Sequence, residues 1–289
     1  PLEHVGGLML RTERGMIATG PTSCEPAGAD FVMPDRSHLD RWLSTYIVGR
    51  AKGPSTYLFT SLGCPYRCTF CSIWPQYEGH YLQREVESVI AELKTLDDYE
   101  AVRFADANTL VNPEFADKLF DRIAEEGIRK VFIMDIRFDT AAKHPELIAK
   151  LARGGLKVAI VGFESFKQEE LERYRKHADA GLIEAAIRVF QDNGIMMRGN
   201  YVVPPDYGEA DFDALAEYAS ANRVALAGYT ILTPIPGMTF YDEVQDQIVD
   251  HDLAKYNFFN CVMKTALPLT RFYEKVGGLW SIRAGTETI

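Results

Sequence analysis

Downstream of residue 55 the chain alternates short apolar runs with longer stretches in which apolar residues recur every three or four positions. The first pattern predicts buried strands, and the second predicts helices laid with one face against a sheet. Residues 55–62 are β-branched and aromatic and read as the first strand. Residues 85–96 set Val86, Val89, Ile90 and Leu93 on one helical face. Further strands are predicted over residues 101–105, 130–136, 156–163, 195–203 and 226–232, alternating with helices over 113–126, 145–153, 182–193, 209–222 and 239–249. Pro113 is placed to start its helix, and Gly154-Gly155 and Gly194 are placed to stop theirs. Six strand-helix units with right-handed crossovers predict an α/β fold, a partial (β/α)6 TIM-like barrel rather than a closed one of eight.

The flanks follow a different pattern. Residues 1–50 read as a linker containing a small hairpin (8–12 with 16–19), then a Pro/Gly-rich passage over 20–34 and a short helix over 35–44. Residues 251–289 form a C-terminal extension with an edge strand over 255–259 and a helix over 269–280. The barrel proper is assigned to 51–250. Pro1 rather than Met opens the sequence, so an excised piece of a longer protein is one reading.

With 289 residues, 47% hydrophobic and 25% charged, the chain has an ordinary globular composition, and its net charge of −10 argues against nucleic acid as a partner. No apolar run is long enough to span a membrane. The five cysteines suggest no disulfide framework, and the location expected is the reducing cytoplasm.

In parallel α/β architectures the C-terminal ends of the strands share one rim, where sites form. Here that rim is polar: Asp106 and Asn108 follow the second strand, Asp135, Arg137 and Asp139 the third, Glu164 and Ser165 the fourth, with Arg198 and Asn200 on the fifth. Carboxylates at strand ends also serve as caps and turn formers. A charged group after nearly every strand exceeds what capping needs.

The loop after the first strand reads Cys64-Pro65-Tyr66-Arg67-Cys68-Thr69-Phe70-Cys71. Three thiolates so spaced can hold three irons of a 4Fe-4S cluster and leave the fourth without a protein ligand. A zinc loop is the competing reading, with His80 able in principle to complete a Cys3His set. A non-enzymatic iron–sulfur or zinc scaffold stays open on the same residues.

This loop, with Phe70 just before its last cysteine, resembles that of the radical S-adenosylmethionine (SAM) superfamily. The resemblance implies that Cys64, Cys68 and Cys71 hold the cluster, that its open iron chelates SAM, and that one electron releases a 5′-deoxyadenosyl radical. It implies further that Glu164 and Ser165 of Gly162-Phe163-Glu164-Ser165 meet the ribose and methionyl end of SAM. Asp106 to Asn108 would meet the methionyl amino group, mostly through backbone carbonyls, in a departure from the family's Gly-Gly-Glu form. Phe70 would pack on the adenine, and Arg198 is suited to the SAM carboxylate. Leu232 opens Leu-Thr-Pro-Ile-Pro-Gly, which is similar to the sixth-strand motif of cobalamin-type members. Together with Tyr256-Asn257-Phe258-Phe259 it resembles hopanoid C-3 methylases and the radical SAM dehydratases of aminoglycoside biosynthesis.

Two reactions follow as expectations. In the first, hydrogen abstraction from a polar, sugar-like small molecule leads to dehydration, with Tyr66 as a candidate proton donor. The alternative is methyl transfer with cobalamin held by a Rossmann-like domain, of which residues 1–50 would be the tail. The acidic rim favours the first. Either needs an electron donor such as flavodoxin or ferredoxin.

Overall fold

The computed structural model describes residues 2–13, 15–20, 31–47, 53–224 and 226–282. The chain divides into two compact units, residues 1–34 and 35–289. The first carries the expected hairpin, β1 (Met9–Thr12) paired antiparallel with β2 (Gly15–Ala18). Most of the Pro/Gly-rich passage, including Cys24, lies outside the described residues.

In the second unit, β3 (Ser55–Leu58) leads into a small antiparallel ribbon of β4 (Ser61–Gly63) and β5 (Tyr81–Gln83), with the short α1 (Ile73–Gln76) between them. Then α2 (Val86–Leu93), β6 (Ala101–Phe104), α3 (Pro113–Glu125), β7 (Val131–Arg137), α4 (Phe138–Lys143) and α5 (Pro145–Arg153) follow in order. The second half runs β8 (Leu156–Glu164), α6 (Gln168–Arg173), α7 (Ile183–Asp192), β9 (Met196–Val203), α8 (Glu209–Ala221), β10 (Gly228–Ile231), α9 (Thr239–Glu243) and α10 (Leu269–Trp280). Six strands pair in the order β10-β9-β8-β7-β6-β3, every pair parallel. The predicted half-barrel is thus the observed one.

Strand alternation explains its layering. Phe104, Phe132, Met134, Phe163, Tyr201 and Ile231 are fully or almost fully buried and share one core with Val89, Leu119, Leu151, Ile187 and Leu215 of the covering helices. Their neighbours along each strand, Arg103, Asp135, Ile160 and Arg198, are partly or wholly exposed on the other face. Asn112 caps α3 by accepting from the Phe115 N–H at 3.1 Å, and Pro113 fills the first helical position, where no N–H is needed.

Four predicted elements differ. Residues 37–45 form 3-10 turns instead of an α-helix. The helix expected over 239–249 ends at Glu243 and gives way to a 3-10 turn at Gln245–Gln247. Residues 255–259 form turns, closed by Asn257 Oδ1 accepting from the Phe259 and Asn260 N–H groups, and not an edge strand. The first strand is broken at Phe59-Thr60, where Asp106 takes the backbone N–H groups of Thr60 and Ser61. The predicted C-terminal helix is present, and packs Phe272 edge-on against Phe212 of α8 at 5.5 Å. No helix among the described residues is long and apolar enough to cross a membrane.

Candidate functional site

The cysteine loop leaves β4 at Gly63, whose φ of +77° and close pairing explain the residue: a Cβ there would lie 2.1 Å from the His80 carbonyl oxygen. The loop then folds on itself. Cys71 N–H and Trp74 Nε1 both donate to the Cys68 carbonyl, at 3.2 and 2.9 Å, and Thr69 N–H donates to the Tyr174 carbonyl at 3.0 Å. Cys68 is buried, Cys64 and Cys71 are partly buried, and all three thiols are free.

Burial raises the Cys68 thiol to about 11 and also pushes Cys64 up, while the Arg137 and Lys176 charges pull both the other way. Burial thus opposes ionising Cys64 and Cys68 while the neighbouring cations favour it, and a metal would take both as thiolates on binding. Among the described residues no three His, Cys, Asp or Glu side chains converge on a single ion position. His80 is exposed and closes no Cys3His set. Zinc would need a fourth ligand that these residues do not supply, whereas a cluster held by three thiolates needs none. The donor chemistry fits a three-cysteine cluster better than zinc.

Facing the loop, the end of β8 is strained. Glu164 has φ +63°, at an irregularity where β8 shifts register against β9. A non-glycine residue held there costs on the order of 1–3 kcal/mol and persists only where its surroundings impose it. The imposing contact is Lys176, nearly buried, whose Nζ donates to Glu164 Oε1 at 2.8 Å. The pair lies across Gly162, where a Cβ would come within 2.3 Å of Glu164 Oε1. Ser165 is buried and its Oγ accepts from the Lys167 N–H at 3.0 Å, which leaves its hydroxyl hydrogen available.

Arg137 joins these parts. It donates to both oxygens of Asp139 at 2.9 and 3.2 Å and to the Lys176 carbonyl at 2.8 Å, and its guanidinium lies 4.0 Å from the centre of the Tyr66 ring. Tyr66 thus packs beneath a cation. Phe70 meets Tyr174 edge-on at 5.5 Å and, with Val202 and Leu232, builds a separate apolar cluster at the rim. Beside it a cavity of about 400 Å³ is lined by Thr69, Tyr174, Leu232 and Phe240.

Three further expected residues lie around these parts. Asp106 is engaged on both oxygens by Thr60 and Ser61, so its carboxylate clasps the start of the cysteine loop. Burial raises it to about 6 despite those bonds. Asn108 is buried and accepts from the Leu110 N–H at 3.4 Å, while its Nδ2 has no partner, an orphaned donor beside the rim. Arg198 pairs in register with Ile160, four residues before Glu164, which at roughly 3.3 Å per residue sets it about 13 Å below the rim. It belongs to the floor of the half-barrel.

Lys176 and Tyr174 were not legible as site residues. The positive φ values of Arg175 and His177 that turn Lys176 inward leave no mark in the composition of Arg173-Tyr174-Arg175-Lys176-His177.

The radical SAM superfamily model matches residues 58–219. Among curated proteins the chain is similar to hopanoid C-3 methylase of Methylococcus capsulatus, 24% identical over 258 residues, covering 89% of this chain and 49% of that protein. Among solved structures it resembles TsrM of Kitasatospora setae, a radical SAM methyltransferase with cobalamin and a 4Fe-4S cluster bound (TM-score 0.65, 19% identity, 92% of this chain and 56% of that one). It also resembles OxsB, a cobalamin-dependent SAM radical enzyme with aqua-cobalamin and SAM bound (TM-score 0.63, 16% identity, 85% and 36%). The chain spans about half the length of the curated relatives it matches.

Proposed function

From the premise that the chain belongs to the radical SAM superfamily, we propose that it carries the radical-generating part of a cobalamin-dependent methyltransferase. Dehydration, favoured above from the acidic rim, has less support. The rim carboxylates are already paired, Asp139 with Arg137 and Glu164 with Lys176, and Asp106 is bound by Thr60 and Ser61. None of them is poised as a free acid or base for elimination. The observation that carries the reading is the likeness to a methylase in sequence and to cobalamin-binding SAM enzymes in fold.

Cys64, Cys68 and Cys71 would hold the 4Fe-4S cluster, and the cluster with SAM, reduced by a flavodoxin- or ferredoxin-like donor, supplies an adenosyl radical when bound. Glu164 and Ser165 offer hydrogen-bond groups for ribose hydroxyls, Lys176 fixing the direction of the first. Phe70 and Leu232 offer an apolar wall for adenine, and Asn108 Nδ2 a free donor. Arg137 and Lys176 keep positive charge beside the thiolates and so lower the cost of burying them. Tyr66 serves as the platform under Arg137.

The test is anaerobic reconstitution with iron, sulfide and cobalamin in the presence of methyl-labelled SAM. Label in the product is expected, and Cys68→Ala is expected to remove both the brown cluster absorbance and 5′-deoxyadenosine formation. A dehydrated, unlabelled product would sink methyl transfer, and undiminished cleavage of SAM by the alanine variant would sink the radical reading itself.

A further inference from the structure

Burying an ion pair strips both charges of water, so such a pair adds little stability and its place in a fold needs another reason. Two of them stand at the cysteine loop: Arg137 with Asp139 and Lys176 with Glu164, at 2.9 and 2.8 Å, their side chains only 6–12% exposed. A third buried carboxylate, Glu92, pairs with Arg36 and Arg84 and has a structural reason, since these arginines also donate to the carbonyls of Tyr57 and Phe59 at the sheet edge. The pairs at the loop bind the loop and each other instead.

Both present the cation to the cysteines. The Arg137 guanidinium lies 4.0 Å from the ring of Tyr66, which stands between Cys64 and Cys68, and donates to the Lys176 carbonyl at 2.8 Å. The turn that carries Lys176 is stitched to the other half of the loop: between Cys68 and Cys71, the Thr69 N–H donates to the Tyr174 carbonyl at 3.0 Å. The thiols register this orientation. Burial opposes ionising Cys64 and Cys68, both cations favour it at both residues, and Glu164 counters them at Cys68 more weakly than either cation acts. A pair so oriented is a fixed dipole with its positive end at the sulfurs, in a buried site where screening is weak.

One electron added to a cluster on these thiolates makes it one unit more negative, which a positive local potential favours. We infer that Arg137 and Lys176 raise the one-electron reduction potential of a cluster held by Cys64, Cys68 and Cys71, and so set how readily an external one-electron donor reduces it. This deepens the proposed function and rests on those cysteines holding a cluster. Asp139 and Glu164 then have a double part: each holds its cation in place and partly cancels it.

The full chain is reconstituted anaerobically with iron and sulfide, without SAM, and titrated with dithionite through viologen mediators, the brown absorbance reporting the oxidised fraction. Neutralising a whole pair, in Arg137→Met/Asp139→Asn or Lys176→Met/Glu164→Gln, should lower the reduced-to-oxidised ratio at a fixed potential about tenfold, a midpoint about 59 mV lower for one electron. Neutralising the carboxylate alone, in Asp139→Asn or Glu164→Gln, leaves the cation and should move the midpoint upward. Arg137→Lys keeps the charge and should hold the ratio within about twofold of wild type. A merely structural role would not reverse sign between single and double variants. Ratios within about twofold of wild type in both double variants, or single and double variants that move the same way, overturn the inference. Where a double variant takes up no iron, the single carboxylate variants decide: a rise supports the inference, and a fall or no change overturns it. A wild-type chain that holds no cluster defeats the radical reading and this inference with it, whereas unmoved midpoints in iron-loaded variants leave that reading standing.

Discussion

The two faces of the six-stranded sheet are made by the same strands and have opposite characters. On the helix-covered face Phe104, Phe132, Met134, Phe163 and Tyr201 are buried to the last few per cent and form a continuous core. On the open face Arg103, Asp135, Ile160, Asn200 and Arg198 take the alternate positions and keep contact with solvent. One residue's step along a strand moves from a position that holds the fold to one that meets a ligand. Stability and chemistry are therefore separable by substitution, which a closed and fully packed barrel floor would not permit.

The sharpest way to break this contrast is to damage the covered face alone. Phe163 is fully buried, packs against Phe138 and Tyr201 at centroid distances of 6.0 and 5.5 Å, and precedes the strained Glu164. Phe163→Ala should cost about 3–5 kcal/mol by urea denaturation, from lost transfer energy and an unfilled cavity. Below its unfolding transition the variant should still take up the brown cluster absorbance of wild type on anaerobic reconstitution. Loss of that absorbance at a temperature where the protein is folded would show the two faces to be coupled.

The strands were legible in sequence as short apolar runs, but the two layers were not, since stretches such as Phe132-Ile133-Met134 and Tyr201-Val202-Val203 are apolar and buried throughout. The rim was legible only as a set of residue types. Glu164 ends β8 with Ser165 directly after it, and Phe70 and Leu232 meet in one apolar cluster, neighbourhoods that a contiguous motif at a strand end makes legible. The depth of Arg198 was not legible, because a strand's sequence carries no record of its offset against a neighbour; only the pairing with Ile160 reveals it. Lys176 was hidden for another reason: burying a lysine depends on the partner that neutralises it, and Glu164 is twelve positions away. The turns at 255–259 were misread as a strand because Tyr-Asn-Phe-Phe has strand-like composition, whereas Asn257 draws the local backbone into a turn.

A smaller effect sharpens the comparison at the seam between faces, where Asp106 clasps the start of the cysteine loop. Its carboxyl is raised from 3.8 to about 6, chiefly by burial. A raised native value means that the folded state binds the proton more tightly than the unfolded one. Stability therefore falls as pH rises through the window from about 4 to about 6, by up to about 3 kcal/mol for a shift of that size. Asp106→Asn, which has no proton to lose, should flatten that part of the stability profile relative to wild type, as read by denaturation at closely spaced pH values. Identical slopes for the two proteins would mean that the Thr60 and Ser61 donors outweigh burial and hold the carboxyl near its ordinary value.

The smallest expected effect concerns Tyr66, which stands at the rim with features of both faces: an aromatic body in contact with protein and a hydroxyl able to act on a ligand. Its ring lies 4.0 Å from the Arg137 guanidinium, which is fixed by Asp139 and by the Lys176 carbonyl. Burial raises the hydroxyl above its ordinary value, with Arg137 opposing, so it stays protonated at neutral pH whatever its role. If the ring is the working part, Tyr66→Phe preserves the cation–π contact and removes nothing that the site uses. Product formation should then stay within about twofold of wild type, while Tyr66→Ala should lose more because Arg137 is left without its platform. A tenfold or greater fall in turnover for Tyr66→Phe, with 5′-deoxyadenosine yield unchanged, would reverse the assignment. The hydroxyl would then be delivering a proton after radical formation, and the rim would belong wholly to the chemical face of the sheet.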